Sequence, residues 1–568
     1  MSFSAPWLAH YGNTPAQLDY PDKTMYQLLS DTAAKFSCHT AYIFQGKHIT
    51  YTQLMTRIDA AARGLTAMGI GKGDCVTICL PNIPQALDCF YALSRIGAIA
   101  NIIHPLSAPR EIVFYLNKSH SKAILTLDPF YKKVASALPH VAQTCTVLIA
   151  KIADELPFPK SIVYPLTKSG RHPLPKQGYV LWKDLLAAGA NIRQLPESDA
   201  SADDCVVILY SSGTTGTPKG IRLSSRNLNA LAQQTIAASG FGGINGMKIL
   251  SVLPIFHGFG LGIGIHTALI GGATCILVPQ FHLKRYGRLI LKYKPNILPG
   301  VPTMFEALLR SNVPEGKDLS FLKGIFCGGD HLSPQLKQRI DAFLQQHHCV
   351  EQIREGYGAT ECVAASCLMP RHFNKKDSIG IPFPNTFYKI VTPGTTHEVT
   401  SGTDGEICIS GPTVMLGYLD NPQESAAVLQ LHADGKVWLH TGDLGCMDTD
   451  GFVYFRQRLK RVIVTCGYNV YPVQLENILQ SHPNVSQCCC IGAPDAYRGQ
   501  RVIAYVVVNP GTAPTEALKQ ELLAHCAQHI AKYALPRELI FRADLPVTPL
   551  GKIDHRALEA EFHPGDRL

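Results

Sequence analysis

The chain has 568 residues, enough for three or four packed units at about 150 residues each; 46% are apolar, 17% charged and 8% aromatic, which excludes a disordered chain, a collagen and a coiled coil. Lys and Arg outnumber Asp and Glu by 52 to 43, but the net +9 is spread thinly, which suits anionic small molecules and argues against nucleic acid as a partner. The 18 cysteines never form a C-x-x-C pair and lie inside apolar segments, so they read as small buried hydrophobes of a reducing, cytoplasmic compartment, with neither a disulfide framework nor a zinc site expected.

The opening MSFSAPWLAHYGNTPAQLDYPDK has no charged region followed by an apolar stretch, so no secretory leader is expected. Helical patterns then alternate with short β-branched runs: TMYQLLSDTAAKF and TYTQLMTRIDAAARGLTAMG, the strand CVTICLP, the helix ALDCFYALSRIGA and the strand IANIIHPL. The rhythm continues with strands at 206–210, 248–253, 273–278 and 324–327. Strands alternating with helices of this length predict βαβ units, a mostly parallel sheet and two layered α/β units before residue 370. The apolar run 256–278 contains His257, His266 and six glycines, and reads as a buried strand-turn-helix rather than a transmembrane span. Between 376 and 455 the short segments FYKIV, GEICISG, GYLD and KVWLHTGDLGCMDTDGFVYF, broken by Gly, Pro and Asp, predict a small β-rich subdomain. The remaining residues return to strand, helix, strand, and suffice for a compact C-terminal unit.

The segment 206–220, VVILYSSGTTGTPKG, carries the most chemistry. An apolar strand opens into Ser211, Ser212, Gly213, Thr214, Thr215, Gly216 and Thr217 and ends at Lys219. Glycines let backbone N–H groups approach an anion, hydroxyls add donors and the lysine adds charge, so the loop is suited to phosphate. It is not a Walker A loop, because Pro218 precedes the lysine and Gly220 follows it.

YSSGTTGTPKG closely resembles the phosphate-loop signature of the acyl-adenylate-forming superfamily, which includes acyl-CoA synthetases, nonribosomal-peptide adenylation domains and firefly-type luciferases. GYGATE at 356–361, TGD at 441–443, QRLKRVIVTCG at 457–467 and PVTPLGKIDHR at 546–556 resemble further motifs in the family's order. The resemblance implies an α/β fold: a large N-terminal domain, 1–457, of two α/β subdomains plus a small β-rich one, and a small mobile α+β C-terminal domain, 458–568. It also implies ATP and Mg²⁺ as cofactors and a small-molecule carboxylic acid and CoA as substrates. A carboxylate attacks the α-phosphate of ATP to give acyl-AMP and pyrophosphate, and a thiol then takes the acyl group.

The resemblance gives residues roles. The 211–219 loop would cradle the β- and γ-phosphates. Tyr357, flanked by Gly356 and Gly358, would lie against adenine; Thr360 would contact the α-phosphate; Glu361 would hold Mg²⁺. Asp443 would accept both ribose hydroxyls, and Arg458 would contact the ribose. Lys460 matches the hinge about which the C-terminal domain swings, although Gln457 stands where the family usually has Gly. Lys552 matches the lysine that bridges carboxylate and α-phosphate, and His257 the residue between acid and phosphates. Gly328 and Gly329 fall in the nucleotide-binding set and, with Pro302, Thr303 and Asp330, beside a roomy apolar tunnel. No aspartate is evident where amino-acid-activating members grip an ammonium group, so a fatty or arylalkyl acid is expected. The segment 380–391, GIPFPNTFYKIV, lacks the family's usual Pro-Gly.

For the thiol acceptor, Arg461, Arg498 and Arg501 are candidates for the CoA phosphates, and Gly467 with Tyr468 for the pantetheine path. The runner-up acceptor is the phosphopantetheine of a separate acyl carrier protein. Two further readings are a non-catalytic acyl- or nucleotide-binding relative, which should have lost Glu361, Asp443 or Lys552, and a luciferase-type oxygenase.

Overall fold

A computed structural model describes residues 5–562 except 168–169, 196–197, 212–217, 312, 315, 372, 374, 466–467, 496 and 549–551; the side chains of Lys460 and Asn469 are also outside it. The strands assemble into four sheets. Cys75–Cys79 lies at the centre of the first, flanked in parallel by Ile99–Ile102 and Ala123–Leu127, with Thr146–Ala150 and Cys205–Ser211 further out. Every residue of Cys75–Cys79 is buried, as a central parallel strand covered on both faces requires.

The second sheet centres on Lys248–Ser251, Thr274–Leu277, Ile297–Gly300, Gly324–Cys327 and Ile353–Tyr357, all paired in parallel. Thr40–Phe44 and Lys47–Thr50, from the first fifty residues, form its far edge. Helices fill the space between the two sheets around one continuous apolar core. Met25–Lys35, Tyr51–Ala67 and Ser225–Ser239 each begin at a Ser or Thr in a reciprocal capping box, with Gln27, Gln53 and Asn227 reaching back.

Phe387–Val391, Gly405–Ser410, Val437–Met447, Leu429–Leu431 and Val453–Arg458 make the small antiparallel sheet. Its expected member GYLD goes elsewhere: Gly417–Tyr418 pairs with Lys219–Ser224 at the edge of the first sheet. The 256–278 run also departs from the predicted strand-turn-helix, since a π-helical stretch, Phe259–Thr267, comes first and the strand Thr274–Leu277 second. Glycines with no side chain carry no periodicity, so the sequence pattern could not set that order.

A turn of 3₁₀ helix, Leu459–Arg461, leads to the C-terminal sheet, in which Val485–Asp495 and Gly499–Val508 pair over their whole length. Apolar clusters drawn entirely from residues after 462 cover both its faces. Among the described residues no helix is long and apolar enough to cross a membrane.

Candidate active site

Ser211 closes one strand and Lys219 opens the next, and the two are antiparallel partners. Ser212, Gly213, Thr214, Thr215, Gly216 and Thr217, between them, lie outside the described residues. Lys219 Nζ pairs with Glu424 Oε1 at 2.9 Å and lies 5.0 Å from the Tyr418 ring centre. The Tyr418 hydroxyl donates to Glu361 Oε1 at 3.0 Å, so Tyr418 joins the lysine to the carboxylate. Sequence reasoning missed Tyr418 and Glu424; the only trace was the GY of GYLD, whose pairing partners Arg222 and Ile221 lie 195 and 197 residues earlier in sequence.

Ile353–Tyr357 delivers Tyr357 to the cleft, where its hydroxyl donates to Asp443 Oδ2 at 2.6 Å. Asp443 lies on Val437–Met447 opposite Arg458, whose Nε is 3.4 Å from Oδ1. Burial raises the Asp443 carboxyl above the usual range, with Arg458 opposing. Asp443 Oδ1 is buried and accepts no hydrogen bond. A buried carboxylate oxygen with spare acceptor capacity is what a ribose hydroxyl would meet.

Thr360 and Glu361 sit on a short 3₁₀ turn, Thr360–Cys362, and the next residue, Val363, has φ 67°. Ala364 N–H donates to Cys362 O at 2.8 Å, closing a γ-turn that is costly for a β-branched residue. The turn packs against two glycines. A Cβ on Gly258 would lie 1.6 Å from Val363 O, and one on Gly358 1.8 Å from Ala364 O. The glycines thus let the GYGATE loop and the segment holding His257 touch through backbone. His257 Nδ1 accepts from Phe259 N–H at 3.2 Å. Burial, aided by Lys552, lowers its imidazole to about 3, so His257 is neutral at physiological pH.

Lys552 comes from the C-terminal unit. Thr548 N–H donates to Lys552 O at 2.7 Å and Lys552 N–H to Thr548 Oγ1 at 3.3 Å, and the Lys552 side chain lines the cleft. Burial lowers its ammonium pKa; Asp330 and Asp443 act against that and Arg458 with it. A Cβ on Gly329, which has φ 81°, would sit 4.0 Å from Lys552 Cε. Gly328 is tighter, since a Cβ there would lie 3.0 Å from Gly356 O. Two side-chain contacts hold the C-terminal unit over this side: His331 Nε2 to Asn477 Oδ1 at 3.0 Å, and Arg310 Nη2 to Ser486 Oγ at 3.0 Å.

Lys219, Tyr357, Thr360, Glu361, Tyr418, Asp443, Arg458, His257 and Lys552 all line one cavity of about 2100 Å³. Beyond His257, Pro302 and Thr303 it continues between Ser225–Ser239 and the second sheet, walled by Ile236, Ile249, Ile263, Ile297, Phe326 and Leu368. Arg354 fixes that wall by donating to the carbonyls of Ala238, Ser239 and Met369 at 2.7–2.9 Å. Among the CoA candidates, Arg461 is paired with Glu476 at 2.7 Å, Arg501 with Glu538 at 3.8 Å, and Tyr468 stacks on Tyr533 at 4.7 Å. Gly467 lies outside the described residues. For a divalent cation bound with phosphate, the turn Thr360–Cys362 offers the Glu361 carboxylate next to the Thr360 hydroxyl. That set fits Mg²⁺ carried on phosphate oxygens, which needs only one or two protein carboxylates.

The sequence model of the AMP-binding enzyme family matches residues 29–419, and that of the AMP-binding enzyme C-terminal domain residues 474–552. The chain is 34% identical to a long-chain-fatty-acid–CoA ligase of Bacillus subtilis over 99% of this chain and 100% of that one. A long-chain-fatty-acid–CoA ligase of Salmonella typhimurium is 30% identical over 98% of both chains. In structure it resembles ATP-bound MatB from Rhodopseudomonas palustris, with a TM-score of 0.80 at 25% identity, covering 95% of this chain and 99% of that one. It has the same fold as the anthranilate CoA ligase AuaEII in complex with anthranoyl-AMP, with a TM-score of 0.82 at 23% identity over 97% and 98% of the two chains. Matching both family sequence models and aligning end to end with its relatives, the chain belongs to the AMP-binding enzyme family.

Proposed function

We propose that this protein is an AMP-forming acid–thiol ligase that converts a fatty acid to its CoA thioester with ATP. The observation that carries the reading is the meeting of Lys552, Asp443, Arg458 and neutral His257 in one cleft that continues into an apolar branch. The full-length fatty-acid–CoA ligase relatives support the acid class and favour CoA over a carrier protein as acceptor. Free cysteines throughout the described residues support a reducing cytoplasmic location. Under this reading residues 1–457 bind the nucleotide and 458–568 form the moving domain, with Lys460 in the hinge.

In the first half-reaction an acid carboxylate oxygen attacks the α-phosphorus and the bond to the bridging oxygen of pyrophosphate breaks. Charge builds on the α-phosphate oxygens, and fixed cations and donors there lower the barrier. Lys552 touches both the carboxylate and the α-phosphate, Thr360 donates its hydroxyl, and Lys219 with the 211–217 loop holds the departing phosphates. Asp443 accepts the ribose hydroxyls, Arg458 adds a charged donor and Tyr357 lies against the base. His257, uncharged, separates the acyl branch from the phosphates without competing for the carboxylate. Glu361 would hold Mg²⁺, which when bound neutralises phosphate charge. In the second half-reaction the CoA sulfur attacks the acyl carbonyl, its proton passes to solvent and AMP leaves.

The test is pyrophosphate release from ATP with a panel of saturated fatty, aryl and amino acids, with and without CoA. Release that depends on a fatty acid and rises with CoA, with acyl-CoA formed, is expected. Release with amino acids alone, or acyl-AMP that CoA does not discharge, would overturn the assignment.

A further inference from the structure

The small antiparallel sheet brings together three metal-ligating side chains that the ligase reaction does not use. Cys408 on Gly405–Ser410 and His440 on Val437–Met447 are direct antiparallel partners, so their side chains share a face. His432 follows Leu429–Leu431 in the hairpin that returns to Val437–Met447, closed by His432 N–H to Lys436 O at 3.0 Å. All three residues are buried, and one ligand atom from each lies within 4.8 Å of the other two.

The two imidazoles face each other, with Nε2 to Nε2 at 3.0 Å. His440 Nδ1 is 3.0 Å from Glu406 Oε2, while Glu406 Oε1 accepts from Gly442 N–H at 2.9 Å. A carboxylate accepting from Nδ1–H fixes the proton there and leaves the Nε2 lone pair outward, the arrangement that orients metal-bound histidines. His432 Nε2 must then supply the one proton between the rings. That leaves His432 Nδ1 as a bare acceptor, and it is buried with no hydrogen-bond partner, on a residue 4% exposed. The pair of rings therefore keeps one unsatisfied lone pair, on His432 Nδ1.

We propose that Cys408, His432 and His440 form a binding site for Zn²⁺. One thiolate with two imidazoles suits this cation. Two imidazole nitrogens on a tetrahedral zinc at about 2.0–2.1 Å stand about 3.3 Å apart, so the rings need only part slightly. As the Sγ–metal bond forms, the thiol proton leaves to solvent, the His432 proton moves from Nε2 to the bare Nδ1, and both imidazoles bind as neutral bases through Nε2. The nearest basic side chain, Lys389, is paired with Asp434 at 2.7 Å. Glu406 and His440 also line the large cleft, which gives the cation an entry path. The ligands span three strand regions, so no C-x-x-C or H-x-x-H spacing announces the site.

Full-length protein stripped with a chelator and titrated with Co²⁺ should show a thiolate-to-cobalt charge-transfer band that saturates at one equivalent and is displaced by Zn²⁺. Cys408→Ser should remove the band, and His432→Gln and His440→Gln should each remove tight binding. Glu406→Gln should weaken binding about 10–100-fold. X-ray absorption of the wild-type zinc form should report one sulfur and two imidazole ligands, a readout that does not depend on any variant folding. No band, a band that survives Cys408→Ser, or another ligand set would overturn the site.

Discussion

Lys552 is held in the cleft by a backbone hydrogen bond from Thr548 and one to the Thr548 hydroxyl, and is surrounded by Asp330, Asp443 and Arg458. Its ammonium has no role in packing either unit's core. Lys552→Ala should therefore cut acid-dependent pyrophosphate release at least about 10²–10³-fold, as loss of a transition-state donor does, with an unchanged circular dichroism spectrum; undiminished release from the folded variant would remove Lys552 from the reaction. The free acceptor on Asp443 makes a different forecast. Tyr357→Phe removes the 2.6 Å hydrogen bond but leaves both carboxylate oxygens for ribose, so it should cost less in KM for ATP than Asp443→Ala, read from ATP titrations at saturating acid. The buried histidines set a pH response. His257 and His266 are lowered by burial to about 3, and His555 to about 4. The unfolded chain takes up their protons near pH 6.5 and the folded chain does not, so stability is full above about pH 6.5 and falls toward pH 3, by up to about 1.4 kcal/mol per pH unit for each histidine. Between pH 7 and 5 buried Glu355, raised to about 8, pulls the other way, so the check is the difference: urea midpoints of His266→Gln should drop less, or rise more, than those of the wild type over that window.

At the scale of elements, the start of the π-helical segment and the loop after Ile353–Tyr357 meet backbone to backbone at Gly258 and Val363. Gly258→Ala would place a methyl 1.6 Å from Val363 O. The loop must shift and carry Glu361 with it, so the variant should lose about 1–3 kcal/mol of stability and most of its adenylation rate, although Gly258 touches no substrate; denaturant melts and pyrophosphate assays on the same samples check both. Such contacts mark where the sequence stops being readable. Met25–Lys35 and Tyr51–Ala67 were legible because apolar periodicity and Thr caps act within a few residues. The order of helix and strand across 256–278 was not, since four alternating glycines erase the periodicity and tertiary contact decides. Gly417–Tyr418 was read as part of the β-rich sheet, because a two-residue strand carries no register information of its own.

For the whole molecule, the motifs announced the fold and the order of the site residues, but not which would touch. The link Lys219–Tyr418–Glu361 and the pair Tyr357–Asp443 join segments 199 and 86 residues apart at their widest, and local patterns carry no such distances. The C-terminal unit has both faces of its sheet covered by its own residues and only a few side chains binding it to the rest. It should behave as a separate cooperative unit: amides of Val485–Asp495 and Gly499–Val508 should exchange together, at a free energy distinct from that of the Cys75–Cys79 region, in native-state hydrogen exchange. Exchange of both regions at one common free energy would mean that the two units unfold as one.

The placing of Lys552 beside Gly329 also dictates an order of events under the proposed reaction. While that lysine occupies the cleft the C-terminal unit covers it, and on that proposal a thiol approaching the acyl carbonyl would need the same unit to have turned away. Pyrophosphate should then depart before CoA joins, and initial velocities measured against CoA at several fixed acid concentrations should give parallel reciprocal lines. Intersecting lines would mean that all three substrates share the cleft before the first product leaves.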